Sequence, residues 1–202
     1  MTRSIISVLK LILAILLLPV VIFASINFFA QLNLVGETIY DFFLWGIFSF
    51  LILYHFIYAP EYFYRKGQDG VLAVFKFFSP LVKIASFCLP IYTILFLIIL
   101  GLDRLVFENI NITRELCFLI SFSLTFHMIF TASAFKTNTA DTLRATYFFS
   151  MQMIYLVNLF IIAFCFHYFF ENFSFIDFFN NAIRQTVEIY KLVFVQFFIA
   201  KS

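Results

Sequence analysis

"MTRSIISVLKLILAILLLPVVIFA", residues 1–24, decides what kind of molecule this is. It opens with a basic group at Arg3, passes Lys10, and then runs apolar without a break. A cleaved secretory signal has an apolar core of about 7–15 residues followed by a small-residue cleavage site. This run is instead about as long as a membrane span, which needs roughly 20 apolar residues. Similar runs recur down the chain, so the stretch reads as a retained first membrane helix.

The rest of the composition agrees. Of 202 residues, 64% are hydrophobic, 12% are charged and 34 are Phe. A soluble domain of this length has no interior large enough for so much apolar surface, so lipid must solvate part of it. The length suits one compact unit, a single transmembrane domain over 1–202. A net charge of +2 is too small to imply a nucleic-acid partner. Cys88, Cys117 and Cys165 are odd in number, lie in apolar runs and form no CxxC, so they read as packing residues.

Five runs reach span length, at about 9–30, 39–59, 81–102, 116–135 and 147–170. None shows the ten-residue alternation of a barrel strand, and unpaired backbone groups in lipid demand helices. The fold class is therefore all-α, a polytopic membrane helix bundle. Lys and Arg placement orients it. With the first residues in the cytoplasm, the inner segments hold Arg3, Lys10, Arg65, Lys66, Lys76, Lys83, Lys136 and Arg144. The outer loops hold only Arg104 and Arg114.

Two segments do not fit the span pattern. In 178–200, Asn180, Arg184, Glu188 and Lys191 recur at spacings of three and four, one polar stripe on a helix. This helix either lies in the membrane interface or crosses as a sixth span with its stripe against protein. The interfacial reading is favoured because charge in lipid is costly. Arg184 and Glu188 are placed to pair along it. The other segment is "YRKGQDGVLAVF", 64–75, a charged turn between Gly67 and Gly70 followed by apolar residues. It reads as a turn and then a short half-helix over Val71–Phe78, near 70–78, re-entrant or interfacial.

Polar groups inside spans are the candidates for function. His127 and Asn158 sit in mid-span, with Ser121, Ser123, Thr125 and Thr131 as possible partners. Both are expected to face the interior and to hold the fourth and fifth spans together. His55 and His167 lie near span ends. No HExxH, GxSxG or P-loop pattern occurs, and no two histidines have metal-ligand spacing.

The order of motifs resembles a bacterial branch of the site-2-type intramembrane zinc metalloprotease family. The stretches that carry it are "IASFCLPIYTILF" (84–96), "TFHMIFTASAFKT" (125–137), "ADTLRATYFFSMQMIYLVNLFIIA" (140–163) and "FFNNAIRQTVEIYKLVF" (178–194). His127, Asp141, Asn158, Arg184 and Glu188 are its polar landmarks. Where that branch has "GHELTHA", this chain has "GQDGVLA" at 67–73. The resemblance thus puts Gln68 and Leu72 in place of the two zinc histidines and Asp69 in place of the general-base glutamate. Gln is a poor zinc ligand and Leu is none, so neither a metal nor another cofactor is expected. The implied protein is a pseudoprotease-like scaffold of the bacterial cytoplasmic membrane. Its partners would be the bilayer and other membrane proteins met through their helices. The alternatives are a small-molecule transporter or channel component, against which the lack of an internal repeat argues, and an active membrane hydrolase using another constellation.

Overall fold

A computed structural model describes residues 2–56, 61–74, 89–106, 112–137 and 144–198. These residues form seven helices and no strand: α1 Thr2–Val35, α2 Glu37–Phe56, α3 Glu61–Val74, α4 Ile91–Val106, α5 Thr113–Thr137, α6 Arg144–Phe169 and α7 Phe175–Phe198. Four stretches are long and apolar enough to cross a membrane, namely Val8–Val35, Glu37–Phe56, Thr113–Ala134 and Tyr147–Phe169. They correspond to the first, second, fourth and fifth spans expected from the sequence. Of the third, only the part from 89 onward is described. It contains the 16-residue α4, whose start lies against α3 and whose far end lies against α6, where Gly101 faces the Phe169 ring.

Two buried clusters hold the bundle, a large one around Phe28 and a smaller one of Phe50, Tyr64, Phe126 and Phe130. Phe28 of α1 is the hub of the first, with the rings of Phe43, Phe166, Phe173 and Phe178 at centroid separations of 5.6–6.4 Å. Such tilted, edge-on and offset-stacked pairs add to the gain from burial alone. α5 is the central helix, since 56% of its most apolar stretch is buried, against 11% for α1. The outer faces carry exposed Leu11, Ile15, Trp45, Phe48, Ile98 and Phe164. An apolar belt of this extent is stable only against lipid tails, and the chain is a membrane protein.

Local sequence explains the joints. α1 and α2 form a hairpin with one residue between them, Gly36, at φ 145°, a conformation that Gly adopts without a Cβ penalty. α7 is started by Ser174, whose hydroxyl accepts the Asp177 amide at 3.1 Å, as an N-cap does. Pro19 lies inside α1. Its ring disturbs the hydrogen bonding of the preceding turn, and there the Leu16 carbonyl accepts the Tyr190 hydroxyl from α7.

The structure departs from the sequence reading in two places. The charged turn at 65–70 is helical: α3 starts at Glu61 and runs through it, not from Val71. Gly67 is tolerated in the helix because a side chain there would meet the Tyr92 ring, with a Cβ only 2.9 Å from Cε2. The proposed half-helix beyond 74 lies outside the described residues. Secondly, Arg184 and Glu188 do not pair. Arg184 reaches back to Asn181 Oδ1 at 3.1 Å.

Candidate functional site

α3 lies across the end of α4 and α5, and the three helices enclose a small polar site. α3 contributes Tyr64, Gly67 and Gln68, α4 contributes Ile91 and Tyr92, and α5 contributes Phe126 and His127. Tyr64 and Gln68 are four apart and so share a helix face. Gln68 donates its Nε2–H to Tyr64 Oη at 3.0 Å. Tyr64 Oη is 2.9 Å from Thr131 Oγ1, and Thr131 Oγ1 is 3.4 Å from His127 Nε2. One ordering of protons satisfies the whole relay: Gln68 donates to Tyr64, Tyr64 to Thr131, and Thr131 to an unprotonated Nε2. His127 itself is buried, 6% exposed.

The relay sits in an aromatic cage. The Tyr64 ring has Phe130, Phe126 and His127 at 5.5, 6.1 and 6.2 Å. Burial pushes the Tyr64 phenol above its ordinary value, and its hydrogen bonds to Thr131 and Gln68 pull the other way. Close by, Thr93 Oγ1 and Ser123 Oγ pair at 3.0 Å, joining α4 to α5. The remaining void is about 20 Å³, room for a single water.

The sequence candidates therefore separate. Gln68 and His127 are brought to one cavity, linked through Tyr64 and Thr131. Asp69 is exposed on α3 and does not line the cavity. Leu72 lies on the α3 backbone, and its side chain falls outside the described residues. Asn158 is elsewhere. Its Nδ2 donates to Ile154 O at 2.9 Å and reaches Met128 Sδ at 3.9 Å, while its Oδ1 is buried without a partner. Of the two residues expected to hold the fourth and fifth spans together, Asn158 reaches from α6 to Met128 of α5, and the bonds described for His127 run through Thr131 and Tyr64 toward α3. Neighbours in an α-helix point about 100° apart, so 127 and 128 serve different helices. His55 is exposed beside Phe56, and His167 bonds the Phe173 carbonyl at 3.0 Å.

The groups at the site with acid–base or nucleophilic capacity are the His127 imidazole and the Tyr64 and Thr131 hydroxyls. A Gln amide is neither base nor nucleophile, and the one carboxylate on this stretch of α3 points away from the void. Among the described residues no group of three or more His, Cys, Asp and Glu side chains could hold a metal ion. Sequence reasoning missed Tyr64, although its spacing of four from Gln68 was visible. It also missed Asn27 and Gln31, polar positions four apart in α1 that prove to hold α7. Asn27 donates to Gln185 Oε1 at 2.7 Å, and Gln31 Oε1 accepts the Ser174 amide at 2.9 Å.

Comparison with protein-family models, with curated proteins and with solved structures gave no match.

Proposed function

We propose that this chain is a non-catalytic integral membrane protein of the bacterial cytoplasmic membrane, a partner-binding component of a membrane complex. Its scaffold resembles that of the site-2-type metalloproteases, with the first residues in the cytoplasm and α4 and α7 crossing the bilayer beside the four apolar spans. The resemblance rests on the sequence stretches quoted above. The non-catalytic part rests on Gln68, which stands where the resembled branch has a zinc histidine and is engaged as a donor to Tyr64. The observation that carries the partner-binding part is the outer face of α7, where Asn180, Arg184, Glu188 and Lys191 are all exposed on a helix packed lengthwise against α1. Polar groups at that depth need protein opposite them.

The test is native mass spectrometry in mild detergent, combined with metal analysis. The expected result is a complex heavier than one chain, carrying far less than one zinc per chain. A lone chain holding about one zinc, lost in His127→Ala, overturns the proposal.

A further inference from the structure

Three bonds set the depth of α7. From its start toward its end, Ser174 meets Gln31, Gln185 meets Asn27, and Tyr190 meets Leu16. The partners descend α1 in reverse order, so the two helices run antiparallel. All three partners lie within Val8–Val35, the stretch of α1 apolar enough to cross a membrane. Arg184 stands about 15 Å along the axis from the first bond and about 9 Å from the last, inside a hydrocarbon core about 30 Å thick. A cation near the end of a span snorkels to the interface. The Arg184 guanidinium is too deep for that, and it stops one turn up α7, at Asn181 Oδ1, 3.1 Å away.

α7 turns Phe178, Ala182 and Thr186 inward, all buried. On its far side Asp177, Asn180, Arg184, Val187, Lys191 and Phe194 are exposed. Their spacing alternates between three and four. That is the seam along which one helix packs lengthwise on another, and on the 3.6-residue period it is one side chain wide. Ile183 flanks it on one side and Glu188 on the other. Arg184 and Lys191 share the centre line two turns apart, so the seam is cationic within the core.

We propose that this seam docks a single membrane helix of another protein, one that carries a carboxylate in its apolar core opposite Arg184. The proposal rests on the partner-binding reading above and gives the partner's chemistry. Charge complementarity and the seam carry it. A guanidinium stays ionised and pairs with a carboxylate through parallel N–H donors. Lipid tails offer no acceptor, and headgroup phosphates lie outside the core. A second copy of this chain would set the cationic line against itself. Lys191 is closer to the end of the core, where its stem can carry the charge out, so Arg184 makes the demand. The spacing of three and four fits one helix lying along α7. Ile183 and Val187 give that helix an apolar contact, and Asn180 a polar one that fixes register.

The test places the purified full-length chain in phosphatidylcholine vesicles at mildly alkaline pH. The probes are synthetic Leu–Ala membrane helices with Glu, Gln or Lys at the centre and a cysteine one turn away. Cys88, Cys117 and Cys165 are replaced, and Val187→Cys is introduced or, as the control, Ile22→Cys on the exposed side of α1. Under mild oxidation Val187→Cys should link the Glu peptide on the order of tenfold more than the Gln peptide, and the Lys peptide least. Ile22→Cys should show no preference. Arg184→Gln should abolish the preference, Arg184→Glu should transfer it to the Lys peptide, and Glu188→Gln should leave it in place. Where the cysteine-free chain fails to accumulate, a benzophenone side chain at position 187 of the native chain reads the same linked fraction. Equal linking of the Glu and Gln peptides, a preference that survives Arg184→Gln or appears equally at Ile22→Cys, or dimers of the chain outcompeting the peptide overturns the proposal. So does linking that ignores the peptide's charge and falls when phosphatidylglycerol is added, which assigns the seam to anionic headgroups. Native mass spectrometry decides the partner-binding reading separately. A heavier complex together with no peptide preference removes this inference and leaves that reading standing.

Discussion

Asn158 has no exposed surface and one unpartnered oxygen, while His127, two helices away in its hydrogen bonding, completes a relay to Gln68. The two therefore stabilise different joints. Each such contact inside a membrane is worth about 0.6–2 kcal/mol. His127→Leu and Asn158→Leu should each lower the melting temperature in detergent, and the double variant should lose the sum of the two within about 0.5 kcal/mol. A double loss clearly smaller than the sum means a shared network and contradicts the geometry above. That both residues matter was legible from their polarity in apolar runs. Which helix each addresses was not, because partner choice depends on the azimuth of a side chain within the bundle. Tyr64 shows the same limit: a tyrosine beside a charged turn resembles an interfacial anchor until its hydroxyl is seen against Thr131.

At the level of helices, the tightest joint is between α2 and α5. A Cβ added at Gly46 would lie 1.9 Å from Ser121 Oγ and 2.3 Å from the Phe118 carbonyl oxygen. The first obstacle can rotate away and the second is backbone, so the helices would have to separate. Gly46→Ala should cost about 1–3 kcal/mol, read as a lower melting temperature in detergent. Ser121→Ala added to it should recover little of the loss. Full recovery would show that only the hydroxyl was in the way. The four helices long and apolar enough to cross a membrane, α1, α2, α5 and α6, were readable from run length alone. α3 was not, since Gly67 and Gly70 look like turn residues, and only the Tyr92 ring against Gly67 explains a helix there. α7 was read from its stripe as an interfacial helix or a sixth span; its lengthwise packing on α1 was not legible, because Asn27 and Gln31, which hold it there, are hidden in the first apolar run.

Across the whole molecule, the proposed orientation, which rests on the bias of positive charge, has α3 and its polar site on the cytoplasmic side. With the three native cysteines replaced, Gln68→Cys should resist an impermeant thiol reagent added to intact cells and react in inverted vesicles. Labelling from outside would invert the topology, and with it the assignment of α3. A bundle of membrane helices was evident from composition, whereas the Phe content spoke only of lipid contact and not of an aromatic core. The arrangement around Phe28 was not, because α1 packs on α2, α6 and α7, and helix order along the chain does not determine neighbours in space.

Those long-range bonds also bear on how the protein is made. Ser25, Asn27 and Gln31 of α1 find their partners 130, 158 and 143 residues later. At ribosomal rates of about 5–20 residues per second, the first helix waits roughly 7–30 s for them. Through that interval Ser25 and Asn27 have only their bonds to the Val21 and Phe23 carbonyls of the same helix, and Gln31 lacks the Ser174 amide, so the nascent chain depends on whatever shelters it at the site of insertion. A chain that stalls before Gln185 keeps that exposure, and quality-control proteases should find it there.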